Sequence, residues 1–173
     1  MFKIEAIDPK IYRKKTRNAT LIIMLMFIII GFGTAYLAVT TLGEYSSNKV
    51  VLNLLGAFVG LMITGLIVKT WFADKAWMKE SMYSWRLKRN LMHITNVLQK
   101  VKDQVDLNDE HAMKVMRFYH LGLQQMHQLE DNNHALVDLG AEKRELEVKM
   151  TELGQELNQT EFDPQWIEIY KTD

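Results

Sequence analysis

Two uncharged apolar runs, Ala19 to Leu42 and Val50 to Val68, lie only seven residues apart and constrain this chain more than any other feature. The first has 24 residues without Asp, Glu, Lys, Arg or His. As a helix it would be roughly 36 Å long, beyond the ~30 Å hydrocarbon core of a bilayer. The second has 19 residues and would be about 28 Å long, just enough to cross. Soluble core helices normally keep one polar face, and Leu21 to Ile30 offers none on any side. Lys14, Lys15 and Arg17 precede the first run as a signal-peptide n-region would. However, the run is too long for a signal core of roughly 7 to 15 residues, and no small-x-small cleavage site follows. The reading is an uncleaved two-helix transmembrane hairpin.

Charge beside the runs predicts orientation. Residues 1–18 carry six basic groups, Lys3, Lys10, Arg13, Lys14, Lys15 and Arg17, against two acids, and Lys69, Lys75 and Lys79 follow the second run. The connecting segment, Gly43 to Lys49, holds only Glu44 and Lys49. Basic loops stay on the cytoplasmic side, so both termini are expected inside. Arg13, Lys14, Lys15, Arg17, Lys69, Trp71 and Trp77 then serve as interfacial anchors, with Phe72 in the same aromatic belt. The net charge of zero hides a separation: +4 for residues 1–18, 0 for 19–68, +5 for 69–105 and −9 for 106–173. The basic flanks suit anionic lipid headgroups. An acidic distal lobe argues against nucleic acid. The absence of cysteine fits a mainly cytosolic chain.

Only Pro9 and Pro164 interrupt helical potential, with 154 residues between them. Leu87, Leu91, Ile94, Leu98, Val101 and Val105 recur in steps of four and three, a coiled-coil-type seam. Asn108 before Asp109 and Glu110 reads as an N-cap. Ala112, Met116, Tyr119, Leu123 and Met126 share the face of a second helix, which Met113, Leu129, His120 and His127 widen. Asp131 to His134 marks a turn. Leu136, Leu139, Lys143, Leu146, Met150, Leu153 and Leu157 continue the rhythm, although Gly140 and Gly154 would weaken that helix by about 1 kcal/mol each. After Pro164, Trp166, Ile167, Ile169 and Tyr170 form an aromatic tail expected to pack within its own chain or oligomer, with docking on a partner as the alternative.

Possible sites are sparse. In the second run Asn53, Gly56, Ala57, Gly60 and Thr64 share a face, and Gly31 with Ala35 offers a matching groove in the first. Small residues let helix backbones approach in lipid, and Asn53 would hydrogen-bond across the seam, so this face reads as packing rather than transport. The spans hold no ionisable residue of the kind that marks ion pathways. His120, His127 and His134 recur every seven residues, about 10.5 Å along a helix, which is too far for two to grip one metal. No phosphate-binding glycine loop, nucleophile elbow or cysteine knuckle occurs, and Ser46, Ser47, Ser81 and Ser84 have no evident base beside them. No cofactor, metal, catalytic residue or small-molecule substrate is therefore expected.

The order of a basic start, a two-span hairpin, Tyr83-Ser84-Trp85-Arg86-Leu87-Lys88, Phe118-Tyr119, Gly122-Leu123 and Leu129-Glu130-Asp131-Asn132 resembles the bacterial membrane-protein family called Domain of Unknown Function 3087. The resemblance covers most of the chain and implies an inner-membrane location with no established activity. It also implies an aromatic residue after Tyr119, where this chain has His120. Among those motifs Trp85, Arg86, Phe118, Tyr119, Asp131 and Asn132 have two readings. In one, Trp85 packs under Phe118 and Tyr119 while Asp131 and Asn132 cap helices; in the other, all six form a protein-docking surface.

The expected architecture is an all-α membrane protein. It has a basic segment (1–18), a transmembrane hairpin (19–68, spans about 19–42 and 50–68), a cytosolic antiparallel helical bundle or coiled-coil domain (69–159, helices about 74–105, 109–130 and 135–158) and an aromatic tail (160–173). The expected function is a non-enzymatic, self-associating inner-membrane scaffold or accessory protein whose partners are lipids, further copies or another protein. The alternative is a small regulator of a transport or envelope complex that senses membrane state; an enzyme is third.

Overall fold

The computed structural model describes residues 1–46 and 48–171, without the side chain of Asp138. Ser47 and the last two residues of the expected tail lie outside it. The chain is all-α apart from one two-stranded ribbon, and it divides into two units. A hairpin unit runs from Lys14 to Met82; a distal unit combines Met1–Arg13 with the chain from Tyr83 onward.

In the hairpin unit, helix α1 (Pro9–Leu42) and helix α2 (Lys49–Ile67) contain the two apolar runs, and both are long and apolar enough to cross a membrane. Asp8 starts α1 by accepting the Lys10 and Ile11 N–H groups at 2.8 and 2.9 Å, with Pro9 in the first turn, where a missing N–H costs nothing. Asn48 caps α2 through the Val51 N–H. The helices are antiparallel: Gly60 lies against Gly31 and Thr34, and Gly56 against Thr34 and Ala35. A Cβ at Gly56 would stand 2.4 Å from the Ala35 Cα, and one at Gly60 2.6 Å from the Gly31 Cα. Only glycine allows this approach. Buried Thr64 donates to the Gly60 carbonyl, and Thr34 donates to Ile30 and Gly31, so their hydroxyls need no external partner. Beyond α2 the chain makes a π-helical turn (Val68–Phe72) and a 3₁₀ turn (Ala76–Met78) before α3 (Lys79–Thr95).

The distal unit packs α4 (Leu98–Asp106) and α6 (Asn133–Glu152) against α5 (Glu110–Glu130). The single helix expected over 74–105 is therefore two, broken at Asn96–Val97, where Thr95, Asn96 and Val97 are a run of weak helix formers. Its seam is consumed by the chain's own core: Leu87, Leu91, Ile94, Val101 and Val105 are buried and Leu98 is partly buried. Gly122 permits the contact of α5 with α3, since a Cβ there would meet Leu91 at 2.8 Å. The cap of α5 is Asp109, which accepts from the Ala112 N–H, whereas Asn108 takes a left-handed conformation (φ 63°). Gly154, expected inside the last helix, terminates it with φ 68°, and the Gln155 N–H closes onto the Met150 carbonyl.

The first 13 residues are not a free basic segment. Strand β1 (Phe2–Lys3) pairs antiparallel with β2 (Glu161–Phe162), and the Ile4 N–H donates to the Thr160 carbonyl at 2.9 Å. The Tyr83 hydroxyl accepts the Glu5 N–H and donates to Gln125, whose amide donates to the Glu5 carbonyl. Apolar residues interleaved with the basic ones explain the docking: Tyr12 is buried with Leu129, and Phe2 and Ile7 pack beside them. The tail also folds in, as a 3₁₀ segment (Pro164–Tyr170) that buries Ile167 and Tyr170.

Gly60→Leu and Gly56→Leu should each destabilise the hairpin by more than about 2 kcal/mol, because overpacking forces the helices apart. Gly65→Leu, with nothing within 4 Å of its Cβ, should stay within about 0.5 kcal/mol. Unfolding in mixed micelles measures all three.

Candidate functional site

One cleft in the distal unit collects more ionisable groups than any fold-holding contact requires. Helix α4 contributes Lys102, Val105 and Asp106; α5 contributes Met116 and His120, one turn apart; α6 contributes Glu142, Glu145, Leu146 and Lys149. The cavity measures about 220 Å³. His120 forms its floor, only 2% exposed, and neither ring nitrogen has a hydrogen-bond partner among the described residues. Its Nε2 lies 3.9 Å from the Glu142 carboxylate, beyond hydrogen-bond reach. The same carboxylate touches the Lys102 ammonium at 3.4 Å.

Burial pushes the His120 pKa down to about 4; Glu142 opposes this, while Arg117, Lys102 and Lys143 push the same way. At neutral pH the ring is uncharged, with one N–H donor and one acceptor nitrogen. Each buried group left unmet costs roughly 1–3 kcal/mol.

Other polar groups nearby are bound. Arg117, 6% exposed, donates through Nε to the Leu157 carbonyl and pairs with Glu147 at 2.7 Å. Burial pushes the Glu147 carboxyl up, but Arg117 and Lys143 together hold it below the usual range. The Lys143 ammonium meets Gln124 at 2.7 Å, which explains the lysine in the apolar series of α6. The Lys149 ammonium reaches the Val105 carbonyl at 2.6 Å, answering the end of α4.

The six docking candidates do not form one surface. Phe118 is fully buried, stacked on Phe162 at 4.9 Å with Phe2 edge-on, so it is core. Trp85 does not pack beneath it; it is half-exposed and carries the Arg89 guanidinium 5.3 Å over its ring. Arg86 is exposed, and Tyr119 is half-buried with its hydroxyl 3.4 Å from Thr95. Asp131 ends α5 in a left-handed conformation and Asn132 caps α6 through the Ala135 N–H. Both are capping residues.

Gly31, Gly56, Gly60 and Thr64 are buried in the hairpin seam beside partly buried Ala35. Asn53 instead stands exposed at the edge of an apolar groove lined by Gly31, Ala35 and Leu54. Of the anchors, Arg13 faces the Leu129 carbonyl and Asp131 in the distal unit, while Lys15 pairs with Glu80 at 2.5 Å. Lys14, Arg17, Lys69 and Trp71 are exposed, and Trp77 packs edge-on to Phe72 at 5.5 Å. Sequence reasoning passed over the His120 cleft. The only local signal was a histidine on the buried face of α5, and Lys102 and Glu142 come from other helices.

An apolar helical hairpin, and a helical unit that combines Met1–Arg13 with the chain beyond Tyr83, define the class. The chain belongs to the family described as protein of unknown function (DUF3087), whose model matches residues 2–167. No curated protein and no solved structure matches it.

Because folded His120 stays neutral down to about pH 4 while the unfolded residue protonates near its ordinary 6.5, the unfolded state binds more protons between those values. Stability should therefore rise with pH through this window and be lost as pH is lowered from about 6.5 to about 4, by up to about 3 kcal/mol for this group. Thermal unfolding of the detergent-solubilised chain should show a steeper loss for wild type than for His120→Leu.

Proposed function

We propose that this chain is a two-pass protein of the bacterial inner membrane with both ends in the cytoplasm. In this reading it is a non-enzymatic scaffold or accessory subunit that presents its distal helical unit to a partner. The observation that carries the topology is the enclosure of Met1–Arg13 in the same folded unit as the chain beyond Tyr83. A segment paired with Glu161–Phe162 and held by Tyr83 and Gln125 shares their side of any membrane, so the chain between must cross an even number of times. Basic flanks against an almost uncharged connection make that side the inner one.

The surface of the hairpin supports insertion. Only 6% of the most apolar window of α1 and 22% of that of α2 is buried, leaving Ile28, Phe32, Leu54, Phe58 and Leu66 outward. In water such a patch far exceeds what a soluble monomer exposes. In lipid it is the required surface, and the back-bonded threonines remove hydroxyl desolvation. Exposed Lys14, Arg17 and Lys69 would meet anionic headgroups.

The scaffold reading rests on how the distal unit uses its polar groups. Arg117, Tyr83, Gln125 and Lys149 each bind the backbone of another segment, and Glu147 pairs with Arg117. Half-exposed Trp85 under Arg89 is an aromatic-cation pair of the kind enriched at interfaces. A second reading, a regulator that senses membrane state, draws on the π-helical turn Val68–Phe72 at the end of the second apolar helix. Such turns often mark functional joints.

The chain has no native cysteine, so single replacements report topology cleanly. Tyr45→Cys should react with an impermeant thiol reagent added to intact spheroplasts, and Glu156→Cys only after lysis. The opposite pattern would overturn the orientation, and reaction of both before lysis would overturn the two crossings. Gentle detergent purification from native membranes should return a stoichiometric protein partner if the chain is an accessory subunit, or a homo-oligomer if it is a self-contained scaffold; a bare monomer contradicts both.

A further inference from the structure

We propose that the cleft floored by His120 is a binding site for a small organic monoanion, its carboxylate-type head held between His120 and Lys102 and its apolar body against Val105, Met116 and Leu146. No part of this rests on the membrane reading.

The protein's own groups mark the place of the head. Glu142, whose side chain is 57% exposed, lays its carboxylate between the two, 3.9 Å from His120 Nε2 and 3.4 Å from Lys102 Nζ. Both contacts are longer than a good charge-assisted hydrogen bond of about 2.7–2.9 Å. An exposed side chain resting loosely over a fully buried ring is readily displaced. A ligand carboxylate in the same position would take the His120 N–H and the Lys102 ammonium at full strength, answering a donor that otherwise has no partner.

The surrounding charges limit what can enter. The groups bearing on His120 are Lys102 from α4, Arg117 from α5, and Glu142 and Lys143 from α6. Three of these four are cations, which favours an anion at the floor. Arg117 and Lys143 are already bound by Glu147 and Gln124, so Lys102 is the cation left to meet a ligand. The rim is different: Asp106 and Glu145 stand there beside Lys149, whose ammonium is held by the Val105 carbonyl. A polyanion would meet those two acids. A single-headed acid with an apolar body would not, and a cavity of about 220 Å³ suits a molecule of that size.

The test uses the full chain in detergent micelles, benzoate as probe, uncharged benzamide as control, and the histidine-ring proton–nitrogen correlation spectrum as readout. His120 is identified by the signal lost in His120→Asn. Benzoate should shift the His120 ring nitrogens saturably at neutral pH, and benzamide should not. Lys102→Met should weaken the response roughly tenfold, as expected for one lost charge-assisted contact. Glu142→Gln, a change on an exposed side chain that leaves the fold intact, should tighten it several-fold by removing the competing carboxylate. An absent or unsaturable shift, an equal response to benzamide, indifference to Lys102→Met, or weaker binding in Glu142→Gln would each overturn the assignment. If His120→Asn fails to fold, the Lys102 and Glu142 variants decide the matter alone.

Discussion

The grip on the first five residues governs how the rest of the chain is arranged. Glu5 offers one N–H and one carbonyl, and Tyr83 with Gln125 takes both in a closed set of hydrogen bonds. A two-stranded ribbon as short as Phe2–Lys3 on Glu161–Phe162 has little stability alone. It persists because its alternate residues are aromatic anchors. Phe2 lies between Tyr83, 5.6 Å away, and Phe118, whose other neighbour, Phe162, stacks at 4.9 Å. Such offset and edge contacts add roughly 0.5–1.5 kcal/mol each beyond the area they bury. Phe2 and Phe162, 160 residues apart in sequence, are thus components of one core.

That pairing was illegible in the sequence for a physical reason. Two-residue strands have no period, and their partners lie about 160 residues apart. The six basic groups of residues 1–18 dominated the charge pattern while Phe2, Ile4, Ile7 and Tyr12 did the packing. The hairpin was legible because an unbroken apolar run has few alternatives, and its seam because Gly56 and Gly60 are spaced by one helical turn. The three-four rhythm located α5 and the buried positions of α3 and α4 but not the bend at Asn96–Val97, since the seam residues remain buried on both sides of it. The packing reading of the six motif residues fits Phe118 as core and Asp131 and Asn132 as caps, but not Trp85, which does not lie beneath Phe118.

The two units differ in the reach of their polar contacts. In the hairpin Thr34, Thr40, Thr41, Thr64 and Thr70 turn their hydroxyls back on carbonyls three or four residues earlier. Satisfaction is local and asks nothing of a neighbour, which is what a lipid environment would demand of a spanning helix. In the distal unit Thr95 and Thr151 do the same, but long-range bonds are added: Arg117 reaches Leu157, Lys149 reaches Val105, and Gln125 reaches Glu5. Each such bond links segments far apart in sequence, so it specifies one packing and rigidifies the core.

Against that background His120 stands out: it is 2% exposed, and neither ring nitrogen has a hydrogen-bond partner among the described residues. Its neighbours show that the fold readily supplies partners: Arg117, three residues earlier, has both a carbonyl and a carboxylate. A leucine at position 120 would remove two unmet ring atoms and join Met116 and Leu146 without charge. Keeping an imidazole there is therefore a local cost that packing does not explain, and sites where local rules fail are where function is most often found. The mouth of the cleft strengthens this argument, because a histidine serving only to fill space would have no need of Lys102 and Glu142 facing each other above it.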